Sequence, residues 1–500
     1  MQYRYIIFLL LILFSSVSAQ DPGDAIFNEP KIYEFKFHFN QTNYLDSLIK
    51  SHETKEYIPC QLDINGVYYD SVGVRFKGTS SFFGYPGNKK SFRIKFDKYK
   101  DYQFDGLKKI NLNNGWNDPT MLREKLYLDF LWDNHIPAPR ANFAKIYIDS
   151  IYWGFYSLIE HVDKTFLKDR FGNNDGNLYK SEYAPLLWEG DDQEKYYDNF
   201  ELKTNENENN WSELIELINT INDEQNFSAQ IESVCDVDLH LKVWAANNLF
   251  VNMDAFFASG NNYYLYQNED DDRFEWIIWD VNLAFGARNG PDSLDIFYVP
   301  EDRPLHKNFL YFAQFKDRYL QTMEQLLNSG FDATALFHKI DSLWSMILDD
   351  YQADTLKMYT NEEVEKSLTQ NLYLAPALKP FIQKRRNSVL QQLDYWKSTG
   401  IYNRNEAENN NRFNFQLYQN FPNPFNSTTI IRYSLSLSAN VELSVFNCLG
   451  QKMATLVSGI QHAGVKQVKW NAAQFSSGIY FYQLFIDNKF LQNKKLLLLK

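Results

Sequence analysis

Apolar and polar residues alternate strictly in two short segments near the start of the chain. Val72, Val74 and Phe76 alternate with Gly73, Arg75 and Lys77, and Phe92, Ile94 and Phe96 alternate with Ser91, Arg93 and Lys95. Successive side chains of a strand point to opposite faces, so a period of two predicts strands with one apolar face and one cationic face. Strand-like segments fall at 32–39, 70–77, 90–96, 142–148 and 154–160. Apolar residues three and four apart predict helices over 119–134, 211–221, 238–253, 309–328, 332–349 and 378–398. Asp118 and Pro119 suit the start of the first of these, as cap and first-turn residue. A strand-rich first half and a helix-rich second half predict a two-lobed α+β unit over residues 32–398, not a regular βαβ sheet.

The pattern changes at both ends. Arg4 precedes an apolar run over 5–14, and Val17-Ser18-Ala19 supplies small residues for cleavage, which predicts a signal peptide over residues 1–20. No later stretch is apolar for long enough to span a bilayer, so no transmembrane span is expected and the mature chain is read as secreted or attached to the outer cell surface. Residues 399–413 are Asn-rich and read as a linker. Alternating segments then recur at 428–434, 441–446, 464–470, 478–486 and 489–499, separated by turn residues, which predicts a small all-β sandwich over 414–500.

Composition narrows the function classes. Hydrophobic residues make up 44% and aromatic residues 17%, enough for a large core. The formal net charge of −13 carries no basic footprint, so nucleic acid is not an expected partner. The three cysteines, Cys60, Cys235 and Cys448, exclude a dense disulfide framework and leave a Cys60–Cys235 bridge as the one option. The eight histidines form no His-x-x-x-His pair, which leaves a zinc hydrolase without support.

Three constellations carry candidate chemistry. If the two cationic strands pair on a core, Arg75, Lys77, Arg93 and Lys95 gather on the opposite face. The loop between them, from Gly78 to Asn88, holds three glycines and three Ser/Thr hydroxyls, and such a loop can aim N–H groups at a phosphate. Glu124 shares a helical stripe with Met121, Leu128 and Leu131, and a carboxylate there wants a cation partner. Asp254 follows a helix, Asn261 and Asn262 open a hairpin, and Asp280 stands at the end of its return strand. One carboxylate to orient an acceptor hydroxyl, and a carboxylate with an amide to hold Mg²⁺, is the inventory of phosphoryl transfer.

These segments resemble the CotH kinase family. The resemblance is carried, in order, by Gly73-Val-Arg-Phe-Lys-Gly-Thr-Ser-Ser, Asn88-Lys-Lys-Ser-Phe-Arg-Ile-Lys-Phe, Leu107-Lys-Lys-Ile-Asn-Leu-Asn-Asn and Asp118-Pro-Thr-Met-Leu-Arg-Glu-Lys-Leu. It continues through Ile136-Pro-Ala-Pro-Arg, Tyr152-Trp-Gly-Phe-Tyr-Ser-Leu-Ile-Glu-His-Val-Asp-Lys, Asn261-Asn-Tyr-Tyr-Leu-Tyr and Trp279-Asp-Val-Asn-Leu-Ala-Phe-Gly. It implies an atypical protein-kinase-like fold that binds ATP with Mg²⁺ or Mn²⁺ and phosphorylates protein Ser/Thr hydroxyls. By the same resemblance Asp254 is the catalytic aspartate, Asp280 a metal ligand, and Asn262 the second ligand with Asn261 as its alternative. Glu160-His161-Val162 looks like the hinge whose backbone reads adenine. Glu124 looks like the partner of the ATP lysine, for which Lys95 is preferred, then Lys90, with Arg93 assisting. Lys77 and Gly78 belong to the same nucleotide-binding wall. Asn282 stands where members often have a second acid, which keeps a non-catalytic surface or structural protein as the alternative.

The C-terminal segment resembles a type IX secretion sorting domain, with an Ig-like sandwich implied. Tyr418-Gln-Asn-Phe-Pro-Asn-Pro-Phe-Asn-Ser-Thr-Thr, Val445-Phe-Asn-Cys-Leu-Gly-Gln, Ser477-Gly-Ile-Tyr-Phe-Tyr and the terminal Lys494-Lys-Leu-Leu-Leu-Leu-Lys carry the likeness. It implies the type IX secretion machinery as a partner, beside ATP and an unidentified protein substrate.

Overall fold

The computed structural model describes residues 21–398 and, with short breaks, 415–499. The expected signal peptide and the expected linker lie outside the described residues. The chain divides into two compact units, Met1–Tyr402 and Asn403–Lys500.

In the first unit seven strands close into a barrel: β1 (Ile32–His38), β2 (Ile58–Ile64), β3 (Val67–Lys77), β4 (Ser91–Lys95), β5 (Lys109–Asn113), β6 (Ala141–Ile148) and β7 (Ile151–Glu160). Their order around the barrel is β1-β2-β3-β4-β5-β7-β6, and closure comes from parallel pairing of β1 with β6, which sets Ile32 opposite Phe143. The alternation read in β3 and β4 decides which way each side chain points. Val72, Val74, Phe76, Phe92 and Ile94 fill the barrel together with Phe35, Phe37, Ile110, Leu112 and Leu158. Burial of apolar side chains at about 1.5–3 kcal/mol each makes the opposite register untenable. The polar face is therefore turned outward, with Arg75 opposite Arg93 and Lys77 opposite Ser91.

A second sheet has the order β11-β10-β8-β9, built from β8 (Leu178–Ser181), β9 (Phe200–Leu202), β10 (Tyr263–Asn268) and β11 (Arg273–Ile278). Helices Val237–Leu249, Ala313–Ser329, Ala333–Gln352 and Leu378–Ser398 share one apolar core with it. Asp236 caps the first of these by accepting from the Leu239 N–H. That helix ends at Leu249, short of the expected residue 253. Val251 then takes a left-handed φ of 48°, and the chain leaves the helix axis before Asp254.

The helix expected from Pro119 begins at Arg123. Met121, at φ 55°, breaks the helical path between them. Asp118 still closes the turn, since its Oδ1 accepts from the Thr120 N–H and its Oδ2 from the Arg123 N–H, each at 2.9 Å. The three cysteines are free, so the Cys60–Cys235 bridge is absent; Cys60 sits in the barrel core and Cys235 in the helical core.

The second unit is all-β. One sheet runs β12-β13-β16, with β12 (Phe415–Leu417), β13 (Thr428–Leu435) and β16 (Gly464–Asn471). The other runs β15-β14-β17-β18, with β14 (Ala439–Asn447), β15 (Lys452–Gln461), β17 (Gly478–Ile486) and β18 (Lys489–Leu498). Ile431, Tyr433 and Trp470 of the first sheet share a core with Leu443, Tyr482 and Leu496 of the second.

Candidate active site

The outward polar face of β3–β5 forms one wall of a cleft of about 510 Å³. Arg75, Lys77, Arg93 and Asn113 line this wall, Gly78 to Ser81 cover one end, and Asp254, Asn262, Tyr264, Trp279 and Asp280 come from the second sheet and its connections.

Lys77 is the last residue of β3 and Asn113 the last of β5, so the two side chains meet across β4. Lys77 Nζ donates to Asn113 Oδ1 at 2.8 Å, and Asn113 Nδ2 donates to Glu124 Oε1 at 2.7 Å. Glu124 lies in the first turn of helix Arg123–Asp133. Burial pushes the Lys77 ammonium down to about 8, against the negative charges of Asp280 and Glu124. Burial, reinforced by Asp280, pushes the Glu124 carboxyl up to about 7, while the Asn113 bond opposes it. The Lys77 ammonium also stands 5.5 Å from the Trp279 ring centroid.

Asp280 follows the end of β11 at φ 52°, and Asn262 precedes β10 at φ 58°. Non-glycine residues held in this region mark over-determined backbone, which clusters at functional sites. Asn262 Nδ2 donates to both the carbonyl and Oδ2 of Asp254, each at 2.9 Å. Both neighbours are acceptors, so the amide nitrogen faces Asp254 and the amide oxygen faces away. Burial raises the Asp254 carboxyl, Arg288 opposes that shift, and Asp280 adds to it.

Of the residues expected at the site, Lys77, Gly78, Arg93, Glu124, Asp254, Asn262 and Asp280 line the one cleft, as does Asn261. The preferred lysine does not. Lys95 shares the polar face of the hairpin but stands opposite Gly73, well along the strands from Lys77, and pairs with Asp97 at 3.8 Å. Lys90 is turned into its own loop, with Nζ donating to the carbonyls of Phe82 and Tyr85 at 2.6 and 2.7 Å. Of these three lysines, Lys77 is the one that lines the cleft and reaches Glu124 through Asn113. Arg93 Nε donates to Asn111 Oδ1 at 3.0 Å, which holds the guanidinium against the wall.

The loop after β3 is not an open glycine turn. Ser80–Gly84 forms a helical turn, and Gly78 has φ 89°, where an added Cβ would lie 2.3 Å from Ser81 Oγ. Its far end is anchored by a fully buried ion pair between Lys89 Nζ and Asp354 Oδ2 at 2.5 Å. The Glu160 carboxylate is committed elsewhere, accepting from Arg140 and Arg170 with only 1% exposed. Val162 is buried in the helical core, and of this trio His161 faces the cleft.

Among the cleft residues that escaped the sequence reading are Asn113, Trp116 and Arg288. Asn113 lies inside a quoted segment, but nothing there signals its bridging position. Trp116 accepts a bond from Asn282 Nδ2 at 2.9 Å through its carbonyl. Arg288 Nη1 lies 3.4 Å from Asp254 Oδ1.

Among the described residues no group of three or more His, Cys, Asp or Glu side chains is poised for a metal ion. Two carboxylates and an outward amide oxygen still fit a hard divalent cation whose remaining ligands are phosphate oxygens and water, the usual mode for Mg²⁺.

Comparison with known proteins bears on both units. A family model described as CotH kinase protein matches residues 74–389, and one described as Secretion system C-terminal sorting domain matches residues 419–498. The chain is similar to the inner spore coat protein H of Bacillus subtilis (strain 168), 28% identical over 291 residues that cover 55% of this chain and 78% of that protein. Among solved structures, it is similar to dimeric latent PorU from Porphyromonas gingivalis, with 14% identity, a TM-score of 0.17, and coverage of 19% of this chain and 10% of that one. It is also similar to the twitchin kinase region from C. elegans, with 9% identity, a TM-score of 0.19, and coverage of 82% of this chain and 71% of that one.

Proposed function

The chain belongs to the CotH kinase protein family, and we propose that it is an exported kinase that moves the γ-phosphate of ATP to a Ser or Thr hydroxyl of another protein. The observation that carries this reading is the relay Lys77–Asn113–Glu124 facing Asp280 and Asp254 in one cleft. The barrel and the helical part serve as the two lobes of a kinase-like fold. The sorting domain implies the type IX secretion machinery as a partner. No helix among the described residues is long and apolar enough to cross a membrane.

Mg²⁺ or Mn²⁺ would be held by Asp280 and Asn262, and when bound it neutralises charge on the phosphate oxygens. The chain's own groups do the rest. Lys77, oriented by Asn113, draws the phosphate chain onto the barrel wall, with Arg93 beside it. The backbone around His161, between Glu160 and Val162, receives the adenine. Asp254, fixed by Asn262, orients the acceptor hydroxyl and accepts its proton. As the hydroxyl oxygen bonds to the γ-phosphorus, the bond to the β–γ bridging oxygen breaks and ADP leaves.

Incubation of the purified chain with labelled ATP and Mg²⁺ or Mn²⁺ tests this reading. Phosphotransfer is expected for the wild type and lost in Asp254→Ala and Asp280→Asn. Equal labelling of all three would refute the assignment.

A second reading, a non-catalytic surface protein that keeps the fold, is favoured by one observation. The amide of Asn282, at the position where family members often carry an acid, donates to the Trp116 carbonyl at 2.9 Å, and an amide brings no charge to a metal. A calorimetric titration with ATP and metal that shows no binding would select it.

A further inference from the structure

Asp254 is gripped from two sides, and the two grips differ. Asn262 is short and doubly bonded to Asp254. Arg288 is long, 50% exposed, and lies at the edge of hydrogen-bond reach, 3.4 Å from Oδ1. An exposed, loosely met ion pair contributes little to folding, so stability does not account for a guanidinium at this place.

The backbone beneath it is fixed at a cost. Phe285, Gly286, Arg288 and Asn289 all have left-handed φ, between 59° and 72°. The segment is held there by Arg123 Nη1 donating to the Ala284 carbonyl at 2.8 Å, by the Phe285 N–H donating to Phe250, and by the Arg288 N–H donating to the Leu374 carbonyl at 3.0 Å. Strain of this kind persists where the surroundings over-determine it, and it concentrates at ligand-handling sites. The result is a rigid base carrying a half-exposed side chain.

Lys77, Asp280, Asp254 and Arg288 line one cleft, and Arg288 meets Asp254 at 3.4 Å. Two cations and two carboxylates thus share it. In the kinase reading Asp254 orients the hydroxyl that attacks the last phosphate, so that phosphate comes to the end of the cleft where Arg288 stands.

Resting on the kinase reading, we propose that Arg288 is the ligand of the terminal phosphate of the nucleotide. Without nucleotide its guanidinium neutralises Asp254. With nucleotide it exchanges that carboxylate for the γ-phosphate oxygens, which frees Asp254 Oδ1 to meet the acceptor hydroxyl. Arginine suits this exchange because its planar fork binds carboxylate and phosphate alike.

Calorimetry on the full chain with Mg²⁺ tests the exchange, using ADP and a non-hydrolysable ATP analogue. Arg288→Ala is expected to weaken the triphosphate by about tenfold to a hundredfold, the worth of a charge-assisted bond, and to leave ADP unchanged. Arg288→Lys recovers part of the loss. The melting temperature of both variants stays at the wild-type value. Equal weakening of both nucleotides, or of neither, would show that Arg288 makes no contact with the terminal phosphate. A wild type that binds neither nucleotide would overturn the kinase reading itself, and the assignment with it.

Discussion

Lys77 and Glu124 are joined through Asn113, whose carboxamide accepts from the ammonium and donates to the carboxylate. The amide fixes both side chains at the spacing of the strand ends while keeping each free to respond to a ligand. Asn113→Ala removes an acceptor and a donor from a part-buried chain of three. A loss of about 1–3 kcal/mol is expected, measured by urea denaturation, with nucleotide affinity falling in parallel. Unchanged affinity in a destabilised variant would mean that the relay serves folding alone.

Lys77 should make nucleotide binding depend on pH in a defined sense. Burial holds its ammonium down to about 8, and phosphate oxygens favour the charged form. Above pH 8 binding therefore takes up a proton. Calorimetry at pH 8.5–9 in buffers of different ionisation enthalpy should register an uptake approaching one proton, and Lys77→Met should abolish it. In the free chain the folded value lies below the unfolded 10.5, so wild type gains stability relative to Lys77→Met as pH rises from 8 to 10.5.

Acid should destabilise the first unit through two rings remote from the cleft. His240 and His306 lie 5.1 Å apart between ring centroids, fully buried among aromatic side chains. None of their four ring nitrogens has a hydrogen-bond partner among the described residues. Burial pushes His240 down to about 3 and His306 well below its usual value, with the charges of His240 and Arg303 adding to the second shift. The unfolded chain takes up protons below about pH 6.5, so stability is lost as pH falls from 6.5 toward 3, by about 1.4 kcal/mol per unit for each ring. Denaturation curves from pH 7.5 to 4 should show this slope, and His240→Leu should roughly halve it.

The Lys89–Asp354 pair joins the loop over the cleft to a turn more than 250 residues away in the chain. Asp354 also accepts from the N–H groups of Phe155 and Leu356, at 2.9 and 2.8 Å. Asp354→Ala strands a buried ammonium and is expected to cost about 3–5 kcal/mol, whereas replacing both partners, Lys89→Met with Asp354→Leu, should recover much of the loss. Hydrogen exchange over residues 78–90 should accelerate in the single variant first.

The parts of this molecule that were legible in its sequence are those settled by local chemistry. The alternation in 72–77 and 91–96 is enough to turn Lys77 and Arg93 outward, because burying either would be far costlier than burying Val74 or Phe92. Which of the candidate lysines lines the cleft was not legible. Lys77 and Lys95 share a face, and their distance from Glu124 depends on hairpin register and on a third strand, Lys109–Asn113, whose alternation runs for only five residues. The helix start at Asp118 was misplaced for a related reason. The aspartate does cap, but it closes a turn through a left-handed Met121 before the helix begins. Arg288 had no signal at all, since a lone arginine three residues after a buried phenylalanine gains its meaning from the carboxylate it meets in space.

Parallel pairing of Ile32–His38 with Ala141–Ile148 has a consequence for the order of assembly. The first strand of the barrel waits for one more than a hundred residues later, and loop closure over such a distance is slow beside hairpin formation. The meander carrying Lys77 and Arg93 can assemble from neighbouring hairpins while the barrel is still open. Its last seam shuts only when the strand beginning at Ala141 has arrived. A chain emerging from a translocation pore would therefore hold a half-built cleft wall with an unpaired edge on either side. The barrel behind that wall would be completed in one step, with the closing of that seam.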